Sequence, residues 1–179
     1  KRMKNSAISY LARYEVSEFQ FKNTMIRKLS NFDNQLHEEL KIEIVYQIQK
    51  EMIASGFIDD KRYAEMKSRS IRRQGGSERL IFSKLKHNGI NDNIIKNAIE
   101  IVDEGNNNAE MIAAVNFIRK KNIGVFYKKT FPEEEYDQYL LKQKWIGSLS
   151  RRGFNLSIIN KVLNITDIED TDLVLQDTI

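Results

Sequence analysis

His37 and His87 are the only imidazoles in the chain, and neither belongs to an H-x-x-x-H or H-E-x-x-H spacing that would aim two ring nitrogens at one metal. Both are expected on polar surface. Cysteine is absent, which excludes a disulfide framework, thiolate zinc and a thiol nucleophile, and fits a reducing compartment. No glycine pattern matches the G-x-x-x-x-G-K-S/T phosphate loop, and Gly75-Gly76 reads as a hinge ahead of a Ser77 cap. The carboxylate runs Asp59-Asp60 and Glu133-Glu134-Glu135 stand at helix starts, where the macrodipole favours negative charge. No acid, base or nucleophile is set up for catalysis, so no catalytic residue, metal or cofactor is expected.

The cations say more. The 179 residues carry 29 Lys and Arg against 25 Asp and Glu, a net charge of +4 and a pI near 9.1. Between Lys61 and His87 stand nine Lys and Arg against two Glu, a local excess of +7. On a helix over residues 60 to 73, Arg62, Arg69 and Arg73 fall within about 40° of one another, opposite Ala64 and Ile71, with Met66 as an apolar intruder. On the next helix Arg79 and Lys86, seven apart, flank the Ile81, Phe82 and Leu85 face. Aligned arginines with little acid beside them predict a surface for a polyanion or an acidic partner. A second cluster, Arg119-Lys120-Lys121 and Lys128-Lys129, is interleaved with Phe126, Tyr127 and Phe131. Such a mixture suits unpaired bases and their phosphates, although aromatics between helices are more often lids over a core. Trp145, Tyr139 and Leu140 are expected in the core.

The elements that must position these groups are helical: one proline, eight glycines and 30% charged residues leave long periodic runs and little turn punctuation. Ser17 with Gln20 makes a capping box, with Val16 and Phe21 as its hydrophobic staple. Phe21, Met25 and Leu29 then share a face; Ile8, Leu11 and Ala12 mark a helix before it, and Ile44, Val45, Ile48 and Met52 one after it. Residues 85–99, LKHNGINDNIIKNAI, and 149–163, LSRRGFNLSIINKVL, repeat at a shift of 64. Gly89 and Gly153 are read as left-handed helix stops, Ile90 and Phe154 fold back on the helix just ended, and Asn91 and Asn155 cap the next. A helix-turn-helix reading is disfavoured, because the helices after the two Asn carry one Lys each, Lys96 and Lys161. The result is an all-α protein built as an elongated, curved array of tandem degenerate three-helix repeats at 5–54, 57–103 and 109–164. The first repeat departs from the pattern: Leu29 runs into NFDNQLHEELKIEI, without a glycine stop. Pro132 is placed just ahead of a helix start. The last stretch, 165–179, is an acidic tail expected to be frayed or weakly docked, with a fold-back onto the arginine face as a further reading.

No apolar run approaches the ~20 residues that span a bilayer, so membrane insertion is not expected; with no cysteine the cytoplasm is the expected compartment, and a monomer is the expected state. The chain opens on Lys1 and its first Met is Met3, so a segment ahead of it is also expected.

The stretch GFIDDKRYA at 56–64, then Arg69, Arg73-Gln74-Gly75-Gly76 and LKHNGI at 85–90, resembles the core of the RecX family of bacterial recombinase regulators. FIRKK at 117–121 and LSRRGFNLSII at 149–159 resemble its last repeat, and the likeness spans roughly residues 7 to 163. The resemblance implies a curved array that lies in the groove of the RecA recombinase filament near DNA and modulates its ATPase and strand exchange. Its setting would be homologous recombination, DNA repair and the SOS response, with weak DNA binding alone and no catalysis. It carries the filament- or DNA-binding role onto Arg62, Arg69, Arg72, Arg73, Arg79 and Lys86, with Arg151 and Arg152 as a second patch; Lys128 and Lys129 join them from the charge pattern. Gly56, Asp59, Asp60, Gly89 and Gly153 are the expected structural turn residues. The alternative is a stand-alone binder of single- or double-stranded nucleic acid.

Overall fold

The computed structural model describes residues 2–32 and 34–176. The helices are α1 (Arg2–Leu11), α2 (Glu18–Phe32), α3 (Glu38–Ala54), α4 (Asp60–Arg73), α5 (Glu78–His87), α6 (Asp92–Asp103), α7 (Ala109–Lys121), α8 (Glu135–Arg151), α9 (Leu156–Leu163) and α10 (Ile168–Gln176). A 3-10 turn covers Gly124–Phe126, and no strand occurs among the described residues. The accessible surface is 11662 Å2. A compact monomer of 21.0 kDa would expose about 9,000 Å2, so the array is elongated.

Three separate cores explain the excess surface. Phe21, Met25 and Leu29 of α2 meet Met3, Ala7, Val45 and Met52 in the first, and Ile58 closes it from the α3–α4 connection. Tyr63, Ala64 and Ile71 of α4 meet Ile81, Leu85, Ile95 and Ile99 in the second. In the third, α7 buries Ala113, Ala114, Val115, Phe117 and Ile118 against Leu149, Ile159 and Val162. The chain enters α2 through a reciprocal box: Gln20 N donates to Ser17 Oγ (3.1 Å) and Ser17 N to Gln20 Oε1 (3.3 Å). The third helix of this unit starts earlier than its hydrophobic run, at Glu38, because Glu38 and Glu39 suit a first turn.

One joint is used twice along the array. Ser17, at the N-cap of α2, donates Oγ to the carbonyl of Asn88 in the α5–α6 turn (2.6 Å). Ser77, at the N-cap of α5, donates Oγ to the carbonyl of Arg152 in the α8–α9 turn (2.9 Å). Each cap therefore holds the glycine turn of the following unit. Gly89 (φ +79°) and Gly153 (φ +91°) are needed there twice over: the backbone is left-handed, and a Cβ would stand 2.4 Å from Phe19 Cβ or 2.3 Å from Ser77 Oγ. After each glycine the chain folds back, with Ile90 N bonded to Leu85 O and Phe154 N to Leu149 O, and Asn91 and Asn155 cap α6 and α9.

Carboxylates tighten the first joint further. Asp60 Oδ1, in the first turn of α4, accepts from Glu18 N at the start of α2 (2.9 Å). Burial raises the pKa of Glu18 above its ordinary 4.5, and the neighbouring Asp60 charge raises it further against the hydrogen bond from Gln49. A raised carboxylate pKa favours the protonated folded state, so this contribution is present at low pH and is lost as pH rises through the folded value. At neutral pH the Glu18 charge therefore destabilises the joint. Glu18→Gln is expected to raise the melting temperature at pH 7, and the gain should shrink toward zero as pH falls below about 4.5; thermal melts across pH check this.

Two expectations change. The acidic segment is not frayed: α10 packs on α7, Thr171 is buried, Val174 and Leu175 reach the third core, and Asp172 pairs with Arg119. The docking site is thus α7 and not the α4 arginines: Arg119 in its basic last turn meets Asp172, beside the third core that Val174 and Leu175 join. Residues 177–179 of that segment lie outside the described residues. Tyr139 and Leu140 are not core but 57% and 37% exposed, since no element among the described residues covers them on α8; Trp145 does pack, half-buried, on the third core.

Candidate functional site

The arginine helix begins where the expected turn residues place it. Gly56 (φ +72°) ends α3, the amides of Phe57 and Ile58 return to Met52 O, and Asp59 caps α4 by accepting from Lys61 N and Arg62 N (2.9 and 3.1 Å). Tyr63, Ala64, Ser68 and Ile71 then face inward and Arg62, Arg69 and Arg73 outward. Charge and periodicity make these arginines look alike. Their partners separate them.

Three guanidinium groups belong to the fold. Arg72 is 10% exposed; its Nε and Nη2 fork onto both Asp103 oxygens (3.0 and 2.5 Å), and Nη1 donates to Glu110 Oε1 (2.6 Å) and Gly76 O (3.2 Å). Burial works against its charge, but hydrogen bonds and attraction from Asp103 and Glu110 outweigh burial and leave its pKa raised. Arg152 donates to the carbonyls of Gly75 (3.2 Å) and Gln74 (2.8 Å) and lies over the Phe117 ring, tying the second unit to the third. Arg62 bonds Glu15 (2.9 Å) and the carbonyls of Gly56 and Phe57, fastening the α3–α4 turn to the α1–α2 connection. These three are candidates for binding a partner, and each also makes contacts within the fold; Arg72 is largely buried by them, while Arg62 keeps 48% of its side-chain surface.

The remaining candidates stay open to solvent. Arg73 and Arg79 are exposed with no ion-pair partner among the described residues, and Arg69 meets only Glu65 one turn away at 3.7 Å. Lys86 pairs with Asp92 (2.5 Å) on the surface, a contact worth at most about 1 kcal/mol. Lys128, Lys129 and Arg151 come together across 23 residues of sequence: with Lys121 and Lys144 they line one cleft of about 470 Å3, floored by Tyr127 and Trp145. Lys144 and Trp145 were missed as site residues. Their signal was present, since Leu141, Lys144, Trp145, Ser148 and Arg151 follow an i, i+3, i+4, i+7, i+10 spacing along one helix face.

Nothing among the described residues forms a group of three metal-ligating side chains. The groups with displaced pKa values, Glu18, Asp60, Tyr63 and Arg72, sit at the joints between units; burial raises the first three, whereas Arg72 is raised by Asp103 and Glu110 against burial. No helix among the described residues is long and apolar enough to cross a membrane.

No family model matches the chain. Curated proteins do, among them the regulatory protein RecX of Myxococcus xanthus, 27% identical over 90% of this chain and 84% of its own length, and that of Agrobacterium fabrum, 28% identical over 96% and 86%. The crystal structure of RecX from Lactobacillus salivarius superposes with a TM-score of 0.61 over 96% of both chains at 22% identity. The chain is a relative of the RecX regulatory proteins. The all-helical fold is the RecX fold, and the resemblance first visible at residues 56–64 and 149–159 extends along nearly the whole chain. The two stretches differ in content: the first holds Asp59, which caps α4, with Asp60 and Arg62, which build a joint, and the second holds Arg151, which lines the cleft, and Arg152, which does not.

Proposed function

We propose that this protein is a non-enzymatic, cytoplasmic regulator that binds the RecA recombinase filament on DNA as a monomer and lowers its ATPase and strand exchange. The observation that carries the reading is the division of the arginines. Arg72 is largely buried and paired with carboxylates, Arg62 is held at the surface by Glu15 and two carbonyls, and Arg152 is bonded to two carbonyls, while Arg69, Arg73 and Arg79 remain exposed without a strong carboxylate partner among the described residues, joined by Lys86 in its weak surface pair. Uncompensated arginine on an elongated array suits an extended anionic partner, either phosphate or acidic recombinase side chains. Residues 5–54, 57–103 and 109–164 act in this reading as three copies of one unit, and the twice-used serine joint supports that division. The acidic segment 165–179 serves as a strap on the third copy.

The test is recombinase ATPase on single-stranded DNA with added protein. Hydrolysis should fall as protein is added, and Arg69→Ala/Arg73→Ala/Arg79→Ala should need roughly ten times more protein for the same effect, the outcome expected if lost charge contacts total about 1.4 kcal/mol. Unchanged hydrolysis and filament lifetime at saturating protein would remove the reading. A second reading, a stand-alone nucleic-acid binder, is favoured by the basic cleft under α8. It predicts strong DNA binding without recombinase, falling with salt at a slope near ~0.7 per phosphate contact on single strands.

A further inference from the structure

The cleft between the end of α7 and the middle of α8 is built unlike the rest of the surface. Asn122 turns the chain left-handed at the end of α7 (φ 52°), Ile123 anchors it in the third core, and the 3-10 turn delivers Tyr127 against Trp145 with ring centroids 5.3 Å apart. Phe131, 43% exposed, completes an aromatic triad, 6.4 Å from each of the other two rings. Lys121, Lys128, Lys129, Lys144 and Arg151 line the cleft with Tyr127 and Trp145, Phe131 stands against both rings, and no carboxylate lines the cleft. None of the five cations has an ion pair or side-chain hydrogen bond among the described residues, although four carboxylates lie nearby at 133–137.

Helix macrodipoles explain only part of this. Lys121 and Arg151 end α7 and α8, where positive charge is favourable, but Lys128 and Lys129 lie outside any helix and Lys144 lies within α8. Like charges gathered in one concavity repel unless an anion enters. We infer that this cleft binds single-stranded DNA, with an unpaired base against the Tyr127–Phe131–Trp145 rings and the flanking phosphates on Lys128, Lys129 and Lys144. A duplex offers phosphates but keeps its bases stacked inside, so it would leave the rings without a partner; an acidic peptide would use the cations alone. The assignment rests on the function proposed above only in taking DNA as the polymer.

Trp145 is the chain's single tryptophan, so its fluorescence reports the cleft alone. Oligothymidylate added to the full chain at low salt, without recombinase, should quench Trp145 saturably. A duplex of equal length, heparin and oligoglutamate should each need at least about tenfold more for the same quenching. Phe131→Ala should weaken oligothymidylate binding by about fivefold or more, the loss of one stacked base. Lys128→Ala/Lys129→Ala/Lys144→Ala, all at exposed positions, should flatten the slope of log affinity against log salt by about 2, the share of three phosphate contacts. Absence of quenching overturns the assignment, as does equal quenching by heparin, duplex or oligoglutamate. An ATPase effect that persists without quenching would sink only the cleft; quenching without an ATPase effect would sink only the regulator.

Discussion

Arg72→Ala is expected to destabilise the protein by about 2–3 kcal/mol, lowering the melting temperature by about 4–12 °C for a chain of this size. The reason is what the substitution leaves behind. Arg72 is the only cation bonded to Asp103 and Glu110 among the described ion pairs, and its removal strands two carboxylates that stand between the second and third units. Removing one partner of a fully buried pair costs about 3–5 kcal/mol; Asp103 and Glu110 keep 21% and 30% of their side-chain surface, so water recovers part of that. Glu110 also accepts from Glu78 N, so the cap of α5 loosens with it. Arg72→Lys restores the charge but not the planar fork onto Asp103, and should recover only part of the loss in the same thermal melts. A melting temperature unchanged in Arg72→Ala would show that these contacts do not hold the units together.

Gly75→Ala is expected to cost about 2–5 kcal/mol, and the geometry divides the cost in two. Gly75 is left-handed (φ +71°), which charges any β-carbon about 1–2 kcal/mol. That carbon would also stand 2.7 Å from the backbone N of Phe117 and 2.8 Å from the carbonyl of Ala113, so α4 and α7 would have to separate, adding about 1–3 kcal/mol. Gly105 separates the two effects: its φ is +74°, and a Cβ there meets nothing within 4 Å. Gly105→Ala should therefore show the backbone cost alone. Equal losses at Gly75 and Gly105 in denaturant titrations would mean that the approach of α7 is not tight.

Much of the fold was legible because it is written in local signals. The Ser17–Gln20 box, the Asp59 cap and the glycine stops at 89 and 153 each act within a few residues, where backbone groups left over at helix ends must be satisfied. The fate of each arginine is not local. Arg72 and Arg73 are neighbours on α4, yet one is held by Asp103 and Glu110, 31 and 38 residues away, and the other faces solvent. Arg151 and Arg152 divide the same way, one lining a cleft and the other bonded 77 and 78 residues back to Gly75 and Gln74. A helical wheel shows which side a cation takes and cannot show which other unit arrives there. The exposed Tyr139 and Leu140 fail for the converse reason: their spacing suits burial, but no other element among the described residues covers them.

The most direct measurement is co-sedimentation of the protein with recombinase filaments assembled on single-stranded DNA, comparing the wild type with Arg69→Glu/Arg73→Glu/Arg79→Glu. All three side chains are exposed, so the reversal should leave thermal stability nearly unchanged. Wild-type protein is expected to pellet with filaments at low micromolar concentration or below, and the reversed variant to stay in the supernatant. Equal pelleting of both proteins would contradict the account, because the outward arginines would then contribute nothing to the partner.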